Sequence, residues 1–130
     1  MPEPHAPTRI LVADDEAQIC GLVRDVLGPS GYDIDTARDG REFFQRYRAG
    51  GHSLLILDML LVECSGLDVV MRLRDGGDAV PILLMFGPRA EPDRMEKLAY
   101  SYRVELLRKP FGIGELRSAV SRALGLPRPD

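Results

Sequence analysis

The sequence predicts one α/β domain, a parallel sheet with helices on both faces. Three observations carry that prediction. Apolar runs short enough to be strands alternate five times with stretches whose apolar residues recur at helical spacing. The connections between them are short, and the twist of parallel strands makes such crossovers right-handed. The central runs, Leu54-Leu55-Ile56-Leu57 and Ile82-Leu83-Leu84-Met85, are apolar without alternation, the pattern of strands buried on both faces. A length of 130 residues with 45% hydrophobic and 28% charged content suits a single globular core.

Taken in order, residues 1–8 form a Pro-rich arm expected to be disordered. The domain proper is placed at 9–124, and 125–130 read as a tail or the start of a linker. The first strand, Arg9 to Ala13, empties into Asp14-Asp15-Glu16. A helix follows with Ile19, Leu22, Val23, Val26 and Leu27 on one stripe, stopped by Gly28-Pro29. Tyr32 to Ala37 alternates weakly and is expected near a sheet edge. Asp39, with Glu42 three residues on, opens a second helix carrying Phe43, Phe44 and Tyr47. The strand into Asp58 comes next. Leu67, Val70, Met71 and Leu73 then mark a third helix, closed by Asp75-Gly76-Gly77. Val80 to Met85 is the fourth strand, with Pro81 at its entry, where a missing donor does least harm. A short helix from about Asp93 to Ser101, a fifth strand over Val104 to Leu107, and a last helix carrying Leu116, Ala119, Val120, Ala123 and Leu124 complete the pattern.

Composition removes several function classes. The net charge is −3, and the 17 basic residues are scattered, so there is no electrostatic footprint for direct nucleic-acid contact. Cys20 and Cys64, like His5 and His52, lack metal-ligand spacing, and zinc is not expected. No apolar run approaches a membrane span, and the start lacks a signal-peptide core. A cytoplasmic, reduced protein without membrane contact is the expectation.

The chemistry concentrates at Asp58. A carboxylate ending a strand buried on both faces is costly unless solvated, paired or bound to a metal. The first strand ends in Asp14 and Asp15, so an adjacent pair of strands would gather several negative groups at one sheet edge. Like charges repel and raise each other's pKa, and a hard divalent cation relieves them. Open parallel sheets place their sites there, beyond the carboxyl ends of the strands. An Asp carboxylate is a competent nucleophile toward phosphorus, and Lys109, in its Lys-Pro step, is within reach of a phosphoryl oxygen on Asp58. A structural ion pair with the acid cluster is the other reading of Lys109.

At these residues the sequence resembles the receiver domain of two-component response regulators. Val12-Ala13-Asp14-Asp15-Glu16, the run into Asp58, Ser65-Gly66-Leu67, Pro81-Ile82-Leu83-Leu84 and Lys109-Pro110-Phe111 carry the resemblance over residues 8–124. It implies a flavodoxin-like doubly wound sheet of order 2-1-3-4-5. It implies further that Asp58 accepts phosphate from a sensor histidine kinase or phosphotransfer protein, becoming a 4-aspartylphosphate. Mg²⁺, for which Mn²⁺ substitutes, would be held by Asp15 directly, by Asp14 mainly through water, by Asp58, and by the backbone carbonyl of Leu60. Lys109 would contact the phosphoryl group. Output would run through the fourth helix, fifth strand and fifth helix to an effector or a second copy.

Three positions depart from the family pattern. Val62 stands where Pro is usual. Phe86 stands where a Thr or Ser hydroxyl usually bonds the phosphoryl oxygen, and it has none to donate. Leu106 replaces the usual Tyr or Phe that changes rotamer on activation. The chemistry reads as intact and the switch as altered. The rival reading is a receiver-like binding or scaffold module that works without phosphorylation. An independent enzyme is disfavoured: an aspartate-nucleophile phosphatase would want an Asp-x-Asp motif on the first strand and a cap domain. Flavin binding is disfavoured because no phosphate loop follows that strand. No effector domain follows Asp130, so a stand-alone receiver and the front of a longer regulator are both open.

Overall fold

A computed structural model describes residues 8–61 and 64–127. Most of the predicted arm, the Val62 position and the last three residues of the predicted tail lie outside this range. Five parallel strands, β1 (Arg9–Ala13), β2 (Asp33–Ala37), β3 (His52–Asp58), β4 (Ile82–Phe86) and β5 (Glu105–Arg108), pair in the order β2-β1-β3-β4-β5. Five helices alternate with them: α1 (Ala17–Leu27), α2 (Gly40–Ala49), α3 (Gly66–Asp75), α4 (Pro92–Tyr102) and α5 (Ile113–Ala123). The predicted fold class and strand order are those observed, and β2 lies at an edge as its weak alternation implied.

Side chains on alternate strand positions build two cores, one on each sheet face. Ile10, Val12, Leu54, Ile56, Leu83 and Met85 pack with Val23 of α1 and Leu116 of α5. Leu11, Leu55, Leu57, Leu84 and Phe86 pack with Phe43 of α2, Val69 and Val70 of α3, and Met95 of α4. Phe43 is fully buried, its ring stacked on Tyr47 at 5.7 Å.

The boundaries differ from expectation for local reasons. β4 starts at Ile82 rather than Val80, because Pro81 has no amide and serves the ladder only through its carbonyl, which accepts from Leu55 N at 3.0 Å. β5 starts at Glu105 rather than Val104, whose amide is spent closing α4 on the Ala99 carbonyl. Met71, assigned to the buried stripe of α3, is exposed, and Val69 takes its place in the core. Gly28-Pro29 does stop α1, but as a 3₁₀ turn ending in left-handed Gly31. Asp39 caps α2, its side chain accepting from Glu42 N at 2.8 Å. Gly125 and Leu126, the first residues of the predicted tail, close α5: their amides bond the carbonyls of Arg122 and Ser121, with Gly125 left-handed at φ 69°.

Among the described residues three polar side chains are buried. His52 sits at the start of β3, where its Nε2 lies 2.7 Å from Asp35 Oδ2, which also accepts from Arg9 at 2.6 Å. The other two are Asp14 and Asp58, and both stand at the opposite end of the sheet.

Candidate functional site

β1 and β3 are neighbours in register, Ala13 opposite Leu57, so the residues that follow them emerge side by side. Asp14 is wholly buried and Asp58 is 6% exposed. Each is held by backbone. The Asp14 amide extends the ladder to the Ala37 carbonyl at 3.0 Å. Its Oδ1 accepts from Glu16 N at 2.9 Å, which turns the chain into α1. Asp58 Oδ1 accepts from Leu60 N at 3.3 Å.

Lys109 reaches the pair from the far side. The loop after β5 is fixed by its amide, which donates to the Phe86 carbonyl at 2.8 Å. Its ammonium donates to Asp14 Oδ2 at 2.8 Å and lies 3.5 Å from both Asp58 Oδ2 and Glu16 Oε1. The ion pair with the acid cluster therefore exists, and the same ammonium also touches Asp58. Burial opposes its charge, but the Asp14 hydrogen bond and the surrounding carboxylates outweigh that and raise the Lys109 pKa. Asp14 moves the other way for a carboxylate. Burial pushes it up to about 6, against the pull of Lys109, and the neighbouring Asp58 charge adds to the rise.

Asp14, Asp15 and Glu16 bring one carboxylate oxygen each within 4.8 Å of one another. Glu16, quoted in the sequence only as part of the acidic run, thus belongs to the oxygen cluster. Asp15 is exposed and free to face a ligand, and the Leu60 side chain is 72% exposed at the rim. Phe86 and Leu106 lie outside this cluster, in the core layer beneath α4.

Gly66 is the residue whose role the sequence hid. α3 begins directly behind Asp58, and the Gly66 amide bonds the Met59 carbonyl at 2.9 Å. A Cβ on Gly66 would collide with the Asp58 carbonyl oxygen. Ser65 caps the same helix end, accepting from Asp68 N. Gly66→Ala is expected to cost about 1–3 kcal/mol by overpacking. A denaturant midpoint unchanged from the parent would show that the backbone there yields freely.

A buried carboxylate, a cluster of carboxylate oxygens and one ammonium are the groups that phosphoryl chemistry uses. Comparison with known proteins identifies the family. The family model "Response regulator receiver domain" matches residues 10–121. The transcriptional regulatory protein TrcR of Mycobacterium tuberculosis is 32% identical over 123 residues, covering 95% of this chain and 46% of that protein. The alkaline phosphatase synthesis transcriptional regulatory protein SphR of Synechococcus elongatus is 36% identical over 124 residues, covering 88% and 48%. The chain thus spans about half the length of the curated relatives it matches. Among solved structures, the Vibrio cholerae chemotaxis protein CheY4 superposes with a TM-score of 0.80 at 25% identity, covering 92% of this chain and 100% of that one. With the strand order, the acid pair and the family match in agreement, the chain belongs to the response regulator receiver domains of two-component systems, and is a receiver domain rather than an independent enzyme.

Proposed function

We propose that this receiver takes a phosphoryl group from a sensor histidine kinase or phosphotransfer protein onto Asp58. The observation that carries the reading is Lys109, whose ammonium spans the buried Asp14 and the Asp58 oxygen 3.5 Å away. An Asp58 oxygen attacks phosphorus in line, the new O–P bond forms, and the donor histidine leaves as its N–P bond breaks. The Leu60 amide orients the carboxylate through Oδ1, and Lys109 neutralises charge on the transferred group. The apolar groove beside Lys109, about 370 Å³ and lined by Ile19, Leu22, Pro110 and Phe111, receives the donor.

The donor set suits a hard cation. An all-oxygen cluster matches Mg²⁺ or Mn²⁺ rather than a thiophilic metal. Asp14, Asp15, Asp58 and the Leu60 carbonyl would hold the ion, which when bound supplies charge neutralisation to the phosphoryl oxygens. Incubation with acetyl phosphate and Mg²⁺, followed by intact-mass measurement, is expected to add one phosphoryl group in a metal-dependent way. No addition would favour the second reading, a cytoplasmic binding module that works unphosphorylated.

The residues beneath α4 support an altered response. Phe86 is 8% exposed and shares a core layer with Met95 and Leu106. It has no hydroxyl to engage the phosphoryl group, and its ring fills core space that the usual aromatic at position 106 would otherwise enter. A ligand shifts only an equilibrium whose two states it binds unequally. Output runs through protein contacts on α4, β5 and α5, where Arg94, Lys97, Arg103 and Arg117 are exposed. The partner is an effector protein or a second copy. Phosphate-mimic binding is expected to shift amides after Asp58 and Phe86 while leaving Leu106 nearly still. Phe86→Thr with Leu106→Tyr should gain a response in β5. An equally large β5 response in the parent would end the idea of an altered relay.

A further inference from the structure

Arginines gather on the α2–α3 face, although the chain as a whole carries a net charge of −3. Arg41, Phe44, Gln45 and Arg48 recur on α2 at helical spacing and share one face. Arg41 and Arg48 stand about 10 Å apart along the axis. Arg72 of α3 reaches the same face, its guanidinium carbon 5.7 Å from the centre of the Phe44 ring. Between them lies a groove of about 400 Å³, lined by these five residues and no carboxylate.

Folding accounts for the neighbouring arginines but not for this group. Arg46 pairs with Glu42 at 3.6 Å. Arg74 spends its guanidinium on the carbonyls of Asp78, Val80, Tyr102 and Arg103. Arg41, Arg48 and Arg72 are exposed, and among the described residues none of them forms an ion pair. Arg48 and Arg72 lie in the last turns of their helices, where the dipole favours a cation. Arg41 lies in the first turn of α2, where the dipole opposes one. Three like charges around one groove repel, and an anion seated among them relieves the repulsion.

The groove has a rigid floor. The Phe44 ring stands edge-on to Phe43, centroids 5.1 Å apart, and Phe43 is fully buried. Stacking on Phe44 holds the Arg72 plane in place and leaves its edge N–H groups for an acceptor. The volume falls in the small-molecule range of about 300–1,000 Å³. A DNA duplex would need about six to ten phosphate contacts, and the exposed Asp68 and Asp75 bound the patch, a turn to either side of Arg72. A peptide with enough carboxylates to match three arginines would overrun the groove and meet those same acids.

We infer that the α2–α3 groove binds a small polyphosphate-bearing ligand, whose oxygens Arg41, Arg48 and Arg72 take. The guanidinium fork matches phosphate oxygens in pairs. The groove shares no residue with the acid site, so the inference does not depend on phosphorylation at Asp58.

Titration of the full, metal-free chain with sodium tripolyphosphate, followed by amide chemical shifts, tests it. Saturable shifts are expected along residues 41–48 and around Arg72, with amides near Asp14 and Asp58 unmoved. Arg41→Gln, Arg48→Gln and Arg72→Gln should each weaken binding about fivefold. Arg46→Gln removes the same charge from the same helix and should leave binding nearly unchanged. Equal losses in all four variants would mean that only net charge is sensed, and would overturn the proposal. Shifts that do not saturate, or that centre on Lys109, would overturn it too. Tighter binding of a poly-glutamate peptide or a short DNA duplex through the same three arginines would assign the groove to a macromolecule instead. All four side chains are exposed, so the variants keep the fold, and unchanged amide positions elsewhere verify that.

Discussion

Asp58→Asn is expected to eliminate phosphate incorporation from acetyl phosphate while the protein stays folded. Asparagine keeps the volume of the side chain and an oxygen to accept from Leu60 N, which now contacts Asp58 Oδ1 at 3.3 Å. What it removes is the proposed nucleophile and one negative charge. Lys109 retains Asp14 at 2.8 Å and Glu16 at 3.5 Å, so no buried cation is left alone. The loss in incorporation should be complete, with the melting temperature held or raised. Intact mass and a thermal melt on the same sample read both. Phosphate persisting on the variant would move the acceptor, with Asp14 the first residue to test.

Much of this was legible because the informative residues sit where two periodicities end. The apolar run through Leu57 marks a strand buried on both sides, and a carboxylate at its end demands a partner. That reasoning puts Asp58 near Asp14 if the two strands are neighbours, an order that came from the resemblance, and the register of β1 with β3 bears the placement out. Gly66 was not legible in that way. Its constraint is the distance from one helix terminus to the Asp58 carbonyl, and no one-dimensional pattern encodes a close approach between main chains. The four bonds from the Arg74 guanidinium to the carbonyls of Asp78, Val80, Tyr102 and Arg103 were hidden for a related reason. The partners are carbonyls, which every residue carries, so the sequence holds no trace of the pairing. Met71 misled because a helical stripe gives a face about a third of the circumference wide, and its margin is decided by how the helix is rolled on the sheet.

Stability of the metal-free protein should fall as pH rises from about 4 to about 6, and Asp14 is the cause. Its folded pKa, about 6, stands above the ordinary value of 3.8. A carboxyl raised by folding binds its proton more tightly in the folded than in the unfolded chain. Its contribution is therefore fully present below the unfolded pKa and is lost as pH climbs through the folded one. Two pKa units correspond to about 3 kcal/mol. Asp35 works in the opposite sense: its His52 hydrogen bond holds its pKa below the usual range, so its contribution disappears as pH falls, in a window below that of Asp14. Chemical denaturation of the parent and of Asp14→Asn at several pH values isolates the effect. The difference between the two stabilities should change by about 3 kcal/mol across the window, the variant gaining on the parent as pH rises. Mg²⁺ should stabilise the parent more at pH 7 than at pH 4. A difference that stays flat with pH would mean that burial does not trouble the Asp14 charge.

The order of the strands also governs how the protein meets its own copies in a crowded solution. Leu54 to Leu57 and Ile82 to Phe86 are uncharged and free of proline, the composition from which fibrils grow. Both lie inside the sheet, hydrogen-bonded on either side. The rims are short and charged: Asp33 and Asp35 on β2, Glu105 and Arg108 on β5. A stray strand arriving at either rim meets charge before it meets a sticky surface. Peeling away β5 would present Ile82 to Phe86 as a bare edge. The tendency of this domain to aggregate is therefore set by how often its outer strands come loose, and substitutions that loosen β5 should promote precipitation before they measurably unfold the rest.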